Sequence, residues 1–375
     1  MLKNPYVLIL AASYGDGHLQ VSKVLKHHFA QKGVNNVEIL DLFAEAYPFM
    51  NEFVKYVYLK SFTMAPTLYG WVYYKSKELK HDRLFTKFLH SLGIQKLKER
   101  VQQQKPDVVI NTFPNYAMPV MRLKYGITIP NYTVITDFTL HQRWLHPEID
   151  KYYVATEDLK LEMNKREIPL NKIVVSGIPI RDSFYQLYDE EQVVHQLGLD
   201  PRKKIILVMA GAYGVLNKMT EIVECLAQLR NYQIVLACGK NEYLFDEMKE
   251  HFRENSGVKV YGFIENIPEL LRISECIITK PGGITLSEAI VSGVPVFLYH
   301  PVPGQEKDNA EYLMNKGAAL IVNDVHDVVE KILPLLKEEK SLLKMKAHIG
   351  LLHKGKSGER IVEDILEEME MVKQW

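Results

Sequence analysis

A glycine-rich loop carrying a histidine lies near the start of the chain. The segment Ser13-Tyr14-Gly15-Asp16-Gly17-His18 follows an apolar run at residues 7–12 and precedes apolar residues at helical spacing. Gly17 lets the backbone approach a ligand, and free N–H groups at a helix start favour an anion. His18 adds a group that can accept a proton near neutral pH. The loop indicates either a ligand site with a general base or a glycine turn with a capping histidine.

A second glycine loop, residues 280–288, also joins an apolar run to a helical pattern. Gly282 and Gly283 would expose helix N-terminal N–H groups that suit a diphosphate, and the helix dipole there favours negative charge by up to ~1 kcal/mol. Lys280 brings a cation. Glu288 lies inside the helix, where its carboxylate can accept hydrogen bonds from both hydroxyls of a ribose. The alternative makes Glu288 a solvated helix residue.

The next strand is followed by a Pro-Gly turn that presents polar side chains. Gln305, Glu306 and Asn309 combine amide and carboxylate groups, which suit sugar hydroxyls because each hydroxyl both donates and accepts hydrogen bonds. The alternative is a plain turn with Asn309 as a helix cap. Two further strand ends place small residues and a cation beside the same predicted site, namely Gly211, Ala212 and Lys240.

In the first half of the chain, Asp137 ends an apolar run and is followed by His141 and Trp144. A carboxylate at a strand end can raise the basicity of His18 or replace it as general base. The alternative is an aspartate that caps the following turn.

Residues 49–90 form an aromatic and basic segment with eleven aromatic residues, seven Lys or Arg and three acidic residues. Rings with polar tips settle at lipid headgroups, and each cation is attracted to anionic lipid by roughly 1 kcal/mol. The segment therefore predicts contact with a membrane surface. The alternative is a helical hairpin packed in the core. The residues chosen for contact with the membrane or the acceptor are Trp71, Tyr73, Tyr74, Lys75, Lys77 and Lys80, together with His141 and Trp144 outside this segment.

These loops require two sheets to position them. Apolar runs alternate with helical stretches in each half of the chain, which predicts α/β domains with parallel, doubly wound sheets. In such sheets ligands bind beyond the carboxyl ends of the strands, where the loops lie. We expect an N-terminal domain at residues 1–177, a C-terminal domain at 178–358 and an acidic C-terminal helix at 359–375 that packs back on the first domain.

Composition excludes several classes of protein. The 375 residues are 47% hydrophobic and 25% charged, so the chain is globular. Basic and acidic residues balance at 46 each, and this overall neutrality argues against nucleic acid as a partner. The excess of positive charge lies in residues 1–177. The three cysteines form no CxxC pair, so no structural zinc site is expected. We expect neither a signal peptide nor a transmembrane helix.

The motifs taken together resemble a known family. SYGDGH, NTFP, TDFTLHQRW, GIPIR, MAGAYGVL, CGKN, YGFIENI, ITKPGGITLSE and PVPGQEKDNA occur in this order. Their set is similar to the bacterial processive diacylglycerol glucosyltransferases, which are related to plant monogalactosyldiacylglycerol synthases and more distantly to MurG-type transferases. The resemblance extends from Val7 to about Ala319.

The resemblance implies a GT-B fold, with two Rossmann-like domains facing across a cleft, and an inverting hexosyltransferase. Glucose would pass from UDP-glucose to diacylglycerol, and repeated transfer would give glucosyldiacylglycerols for membrane glycolipid and the lipoteichoic-acid anchor. The enzyme would lie peripherally on the cytoplasmic face of the cell membrane.

The resemblance also implies roles for single residues. Glu288 would hold the ribose, with Gly282, Gly283 and Thr285 at the diphosphate. Phe263 and Ile264 would flank the uracil, Gln305 and Glu306 would meet the hexose, and Arg181 would lie near the leaving phosphate. His18 and Asp137 would lie on the acceptor side, with His18 the first choice as base.

The sequence predicts that no cofactor is used, and it leaves alternatives for the donor sugar and for the function. No Asp-x-Asp triplet occurs, so we expect no metal or other cofactor; helix N–H groups with Arg181 or Lys240 would stabilise the leaving UDP. UDP-galactose is the alternative donor. A UDP-sugar epimerase on the same fold and a non-catalytic UDP-sugar-binding module are the alternative functions.

Overall fold

The computed structural model describes residues 4–13, 16–49, 65–77, 93–210 and 218–372. The chain divides into two compact units. The first comprises the described residues of 1–180, 302–305 and 354–372, and the second comprises those of 181–301 and 306–353. The expected boundary at residue 177 lies three residues earlier, and the short stretch 302–305 belongs to the first unit rather than to the second.

The first unit contains a parallel sheet of six strands in the order β2-β1-β3-β4-β5-β6. Its strands are β1 (Val7–Ala11), β2 (Val37–Asp41), β3 (Val108–Asn111), β4 (Asn131–Val134), β5 (Lys151–Val154) and β6 (Ile173–Val175). Its helices before the boundary are α1 (Asp16–Gln31), α2 (Leu42–Ala46), α3 (Pro66–Lys77), α4 (Ile94–Gln104), α5 (Ala117–Tyr125) and α6 (Glu157–Lys165), with single turns at Gln142–Trp144 and Leu170–Lys172. The strand order reverses between β1 and β3, where doubly wound sheets bind ligands.

The second unit contains another parallel sheet of six strands, in the order β12-β11-β10-β7-β8-β9. Its strands are β7 (Lys204–Met209), β8 (Tyr232–Ala237), β9 (Val258–Tyr261), β10 (Ser274–Thr279), β11 (Val296–Tyr299) and β12 (Ala319–Val322). Its helices are α7 (Glu190–Gln196), α8 (Met219–Ala227), α9 (Glu242–His251), α10 (Ile267–Arg272), α11 (Gly283–Ser292), α12 (Gln305–Asn315), α13 (Val325–Asp327), α14 (Leu333–Lys337) and α15 (Glu339–Leu352). The first residue of α12, Gln305, belongs to the first unit. A 3-10 turn lies at Asp182–Tyr185 and a π-helix at Val328–Ile332.

Both sheets are built from strands of apolar residues. All residues of β1 and β3 are buried, as expected for parallel strands covered on both faces. The prediction of two doubly wound α/β sheets is confirmed. The edge strands β6 and β12, with three and four residues, were not predicted.

The last helix, α16 (Ser357–Val372), packs against α1 of the first unit. The buried Lys151 holds it through ion pairs with Asp364, at 2.8 Å, and Glu368. Asp364 also accepts a 2.7 Å hydrogen bond from the hydroxyl of Tyr153. No helix among the described residues is long and apolar enough to cross a bilayer.

Candidate active site

His18 lies in the first turn of α1, beyond the carboxyl end of β1. Its Nδ1 is 2.7 Å from the carbonyl oxygen of Thr112, which follows β3, and 3.3 Å from Oγ1 of Thr136. A carbonyl can only accept, so Nδ1 carries the proton and Nε2 carries the lone pair. Burial lowers the pKa of His18 to about 4, although the bond to Thr112 opposes this shift. The imidazole is therefore neutral at pH 7, in the form that a general base needs.

A network of hydroxyl groups holds the backbone of His18. Ser22 Oγ donates to the carbonyl oxygen of His18 at 2.9 Å and lies 2.9 Å from Oγ1 of Thr112. Ser22, Thr112 and Thr136 were not predicted as functional residues from the sequence. Thr112 directly follows a buried strand in the NTFP motif, and that position at the strand end was the available signal. Gly17 is half-buried beside His18 in the first turn of α1.

Asp137 is buried at the end of the segment that follows β4. Its Oδ1 accepts a hydrogen bond from the side-chain amide of Gln305, which the fold places in the same unit. The ring nitrogen Nδ1 of His18 contacts Thr112 and Thr136. That Asp137 is the partner of His18, or replaces it as general base, stays a prediction.

His141 and Trp144 are interior residues, with 7% and 2% of their surface exposed. The Trp144 ring centroid is 6.4 Å from that of His18, so this indole lies beside the candidate base and forms no part of an exposed face. His141 packs its ring 4.8 Å from Tyr73, and its Nε2 is 3.3 Å from Oγ of Ser76. Burial and the charge of Arg143 lower the pKa of His141 to about 4.

Helix α3 has two distinct faces. Leu68, Trp71, Val72 and Lys75, at helical spacing i, i+3, i+4 and i+7, are exposed, the first three at 62%, 61% and 48%. Three other membrane candidates, Tyr73, Tyr74 and Lys77, are half-buried. Lys80 and most of the aromatic segment lie outside the described residues.

In the second unit, the glycine loop forms the start of α11 as the sequence predicts. Gly282 is the exposed N-cap and provides no side-chain cap, while Gly283 begins the helix. Lys280 and Thr285 are half-buried on either side of it. Asn309 is fully buried, and its Nδ2 donates to the carbonyl of Pro281 at 3.4 Å. Asn309 therefore braces this loop, and its contact with the sugar donor stays a prediction.

Glu288 is 7% exposed on α11. Burial raises the pKa of its carboxyl to about 7, whereas the positive charge of Arg181 lowers it. Burying a carboxyl against this cost is typical of a binding site, so the solvated alternative is wrong. The guanidinium of Arg181 lies 5.2 Å from the centroid of the Phe184 ring.

The remaining donor candidates lie at other loops after strands of the second sheet. Lys240 follows β8, and its Nζ is 5.6 Å from the ring centroid of Phe263. The ring of Phe263 is 59% exposed and Ile264 is half-buried. Glu306 is half-buried in the first turn of α12. Gly211 and Ala212 lie outside the described residues.

Asp324, His326 and Asp327 form a group whose ligand atoms lie within 4.8 Å of one another. Asp327 already pairs with Lys331 at 2.7 Å, and Asp324 caps the N–H of Asp327 at 2.9 Å. Helix capping and an ion pair account for this group without a metal.

Comparisons with known proteins show the family to which this chain belongs. The chain is 43% identical to the processive diacylglycerol beta-glucosyltransferase of Bacillus cytotoxicus over 369 residues, which is 98% of this chain and 95% of that protein. The protein of the same name from Bacillus cereus strain B4264 is 44% identical with the same coverage. The chain belongs to this glucosyltransferase family.

Family models agree unit by unit. The model of monogalactosyldiacylglycerol (MGDG) synthase matches residues 18–180, and that of the glycosyltransferase family 28 C-terminal domain matches residues 205–365. The first match starts at His18 and the second covers Glu288. The chain is therefore a glycosyltransferase, as its motifs predicted.

Solved structures agree on the fold. MurG of Acinetobacter baumannii superposes with a TM-score of 0.63 at 16% identity, covering 97% of this chain and all of that one. UDP-GlcNAc 2-epimerase of Neisseria meningitidis, solved with UDP-GlcNAc, gives 0.61 at 16% identity with the same coverage. At these identities the likeness concerns the fold alone, which is GT-B.

Proposed function

We propose that this enzyme transfers glucose from UDP-glucose to diacylglycerol with inversion at the anomeric carbon. The observation that carries the chemistry is the neutral His18 imidazole, whose Nδ1 is bonded to the Thr112 carbonyl so that Nε2 can take a proton. The near full-length relatives, named for diacylglycerol and glucose, supply the substrate classes. No observation favours the epimerase beyond shared fold.

On the donor side, the second unit offers groups for the diphosphate, the ribose and the uracil of UDP-glucose. The uncapped N-terminus of α11 at Gly282 can bind the diphosphate through backbone N–H groups. The Glu288 carboxylate can accept from both ribose hydroxyls, and Phe263 provides an exposed ring for the uracil. Arg181 and Lys240 are the cations that would balance the charge on the leaving UDP, so the proposed reaction uses no metal.

On the acceptor side, the step is one displacement. The hydroxyl oxygen of diacylglycerol attacks C1 of the glucose while the bond from C1 to the β-phosphate oxygen breaks. The hydroxyl proton passes to Nε2 of His18, and UDP leaves with the bonding electrons. Attack opposite the leaving group inverts C1. The product keeps sugar hydroxyls, so glucosyldiacylglycerol can serve as the next acceptor, which is the proposed basis of processivity.

The lipid acceptor requires contact with a bilayer, and the outer face of α3 has the properties for it. Leu68, Trp71 and Val72 are exposed apolar side chains, and Lys75 adds a cation at the same face. Such a face inserts at headgroup level and favours anionic lipid. We propose that the enzyme is a peripheral protein on the cytoplasmic face of the membrane.

The test is incubation of the purified protein with UDP-[14C]glucose and vesicles that contain diacylglycerol. Radiolabelled glucosyldiacylglycerol, and then the diglucosyl product, are expected by thin-layer chromatography. A parallel reaction with UDP-[14C]galactose decides the donor, since the family model of the first unit is named for galactose transfer. Bound UDP-glucose without labelled lipid would contradict the transferase and favour a binding module.

A further inference from the structure

The inner face of α3 packs on the turn that carries Gln305. This turn, residues 302–305, belongs to the same unit as α3. The amide N–H of Gly304 donates to the hydroxyl of Tyr74 at 3.2 Å. A Cβ built on Gly70 would lie 2.4 Å from Cβ of Pro303, so the helix backbone touches the turn at that point.

Gly304 allows the aromatic rings of α3 to approach from the other direction. Its φ is +114°, a backbone conformation that residues with a side chain rarely adopt. A Cβ at this position would lie 2.9 Å from the Tyr69 ring and 3.2 Å from the Tyr73 ring. The helix and the turn therefore fit together only with glycine on both sides, at positions 70 and 304.

The same helix is also anchored to the segment that follows Asp137. Tyr73 stacks edge-on against His141, and Ser76 lies within hydrogen-bond distance of His141 Nε2. Asp137 in turn accepts from Gln305. Helix α3 thus contacts both segments that bring Asp137 and Gln305 together.

We propose that Gly70 and Tyr74 are positioning residues that hold Gln305 where it meets the transferred sugar. The proposal rests on the proposed function for the identity of the sugar and the place of Gln305. Because the opposite face of α3 is the exposed apolar face, a bilayer that immobilises the helix also stabilises the turn. Binding to lipid should therefore tighten the binding of the sugar donor.

Tyr74→Phe is the first test, since it removes only the hydroxyl that Gly304 donates to. Affinities for UDP-glucose and for UDP are measured by calorimetry without lipid. UDP-glucose affinity should fall about fivefold, as for a lost hydrogen bond, and UDP affinity should stay unchanged because UDP has no hexose. Equal losses for both ligands, or no loss for either, would overturn the proposal.

Gly70→Ala is the second variant, because its methyl group must displace Pro303. It should weaken UDP-glucose binding more than Tyr74→Phe does, again sparing UDP. Thr67→Ala, at an exposed position of the same helix, is the matched control and should leave lipid-free UDP-glucose affinity unchanged. A Tyr74→Phe, Gln305→Ala double variant should be no weaker than Gln305→Ala alone; additive losses would show that Tyr74 does not act through Gln305.

The lipid effect is tested by repeating the UDP-glucose titration with vesicles of anionic phospholipid. The wild-type protein should bind UDP-glucose more tightly with vesicles, and both Trp71→Ala and Tyr74→Phe should reduce that gain. Equal affinities with and without vesicles would overturn the coupling. These experiments measure binding and not transfer. Absence of glucosyl transfer would refute the proposed function, whereas the binding results alone decide whether Gly70 and Tyr74 position Gln305.

Discussion

The side-chain amide of Gln305 donates a hydrogen bond to the carboxylate of Asp137, 168 residues earlier in the chain. This bond occupies one carboxylate oxygen of Asp137 and fixes the residue expected to meet the hexose. His18, by contrast, is oriented by a backbone carbonyl, that of Thr112. Under the proposed function, the two candidates for the base would therefore differ in role: His18 would take the proton, and Asp137 would hold the amide of Gln305.

Replacing Asp137 by Asn separates these roles. Asparagine keeps an oxygen that can accept from Gln305 but cannot serve as a base. We expect kcat to remain within about tenfold of the wild type, while Asp137→Ala raises KM for UDP-glucose. The measurement is steady-state kinetics on diacylglycerol vesicles. A kcat loss for Asp137→Asn as large as that of His18→Ala would make Asp137 the base.

Replacing His18 by Ala should lower kcat by about 10²- to 10⁴-fold, the usual contribution of a general base. Affinity for UDP-glucose should not change, since the donor candidates lie on other loops. His27→Ala is the matched control, because His27 is exposed on the same helix. Since the pKa of His18 is about 4, kcat at saturating donor should be flat from pH 8 to pH 6. A steep fall in kcat near pH 6.5 would contradict a neutral base with a lowered pKa.

Binding of UDP-glucose should depend on pH through Glu288. Burial raises the pKa of this carboxyl to about 7, so it is mostly ionised at pH 8 and mostly protonated at pH 6. Only the ionised form accepts from both ribose hydroxyls, and affinity should fall about tenfold over that interval as protons compete with the donor. Calorimetry with UDP-glucose gives the profile.

Glu288→Gln is the control for this pH dependence. Glutamine keeps the size of the side chain and cannot ionise, so binding should be weaker at pH 8 and independent of pH. A wild-type affinity that does not change from pH 8 to pH 6 would show that Glu288 does not hold the ribose.

Much of this site was predictable from the sequence because parallel strands end in loops. The runs before His18, Lys280 and Gln305 are apolar enough to be buried strands, so their loops had to lie at the carboxyl edge of a sheet. The hydrogen bond between Asp137 and Gln305 was not predictable from the sequence. It forms because the turn at residues 302–305, in the second half of the chain, packs within the first unit. The edge strand β6, with three residues, is the shortest strand of the two sheets and is too short to show a pattern.

The faces of α3 show the same limit. Aromatic residues occur on both sides of this helix, and composition cannot separate Trp71, which is exposed, from Tyr73 and Tyr74, which face the turn at residues 302–305. Exposure depends on what packs against each face, and that partner is more than 200 residues away in the sequence.

The exposed face of α3 should contribute directly to lipid binding. Trp71→Ser removes a large apolar side chain and should weaken binding to anionic vesicles about tenfold in a sedimentation assay. Lys75→Glu should weaken it too, and more strongly at low salt, because charge attraction is screened by ions. Tyr243→Ser is the control, since Tyr243 is 78% exposed in the second unit. Unchanged binding in both α3 variants would assign the lipid contact to another surface.

The attachment of α16 should depend on Lys151. This side chain is buried and pairs with Asp364 and Glu368, whose side chains are 30% and 28% exposed. Lys151→Ala leaves two carboxylates one helical turn apart without their cation, which costs more than a surface pair but less than a fully buried one. We expect the free energy of unfolding of the first unit to fall by about 2 kcal/mol in urea denaturation. The control is Lys204→Ala, where a half-exposed lysine lies 3.6 Å from Glu275 and about 0.5 kcal/mol is expected. Equal losses for the two variants would mean that the Lys151 pairs contribute no more than an ordinary surface ion pair.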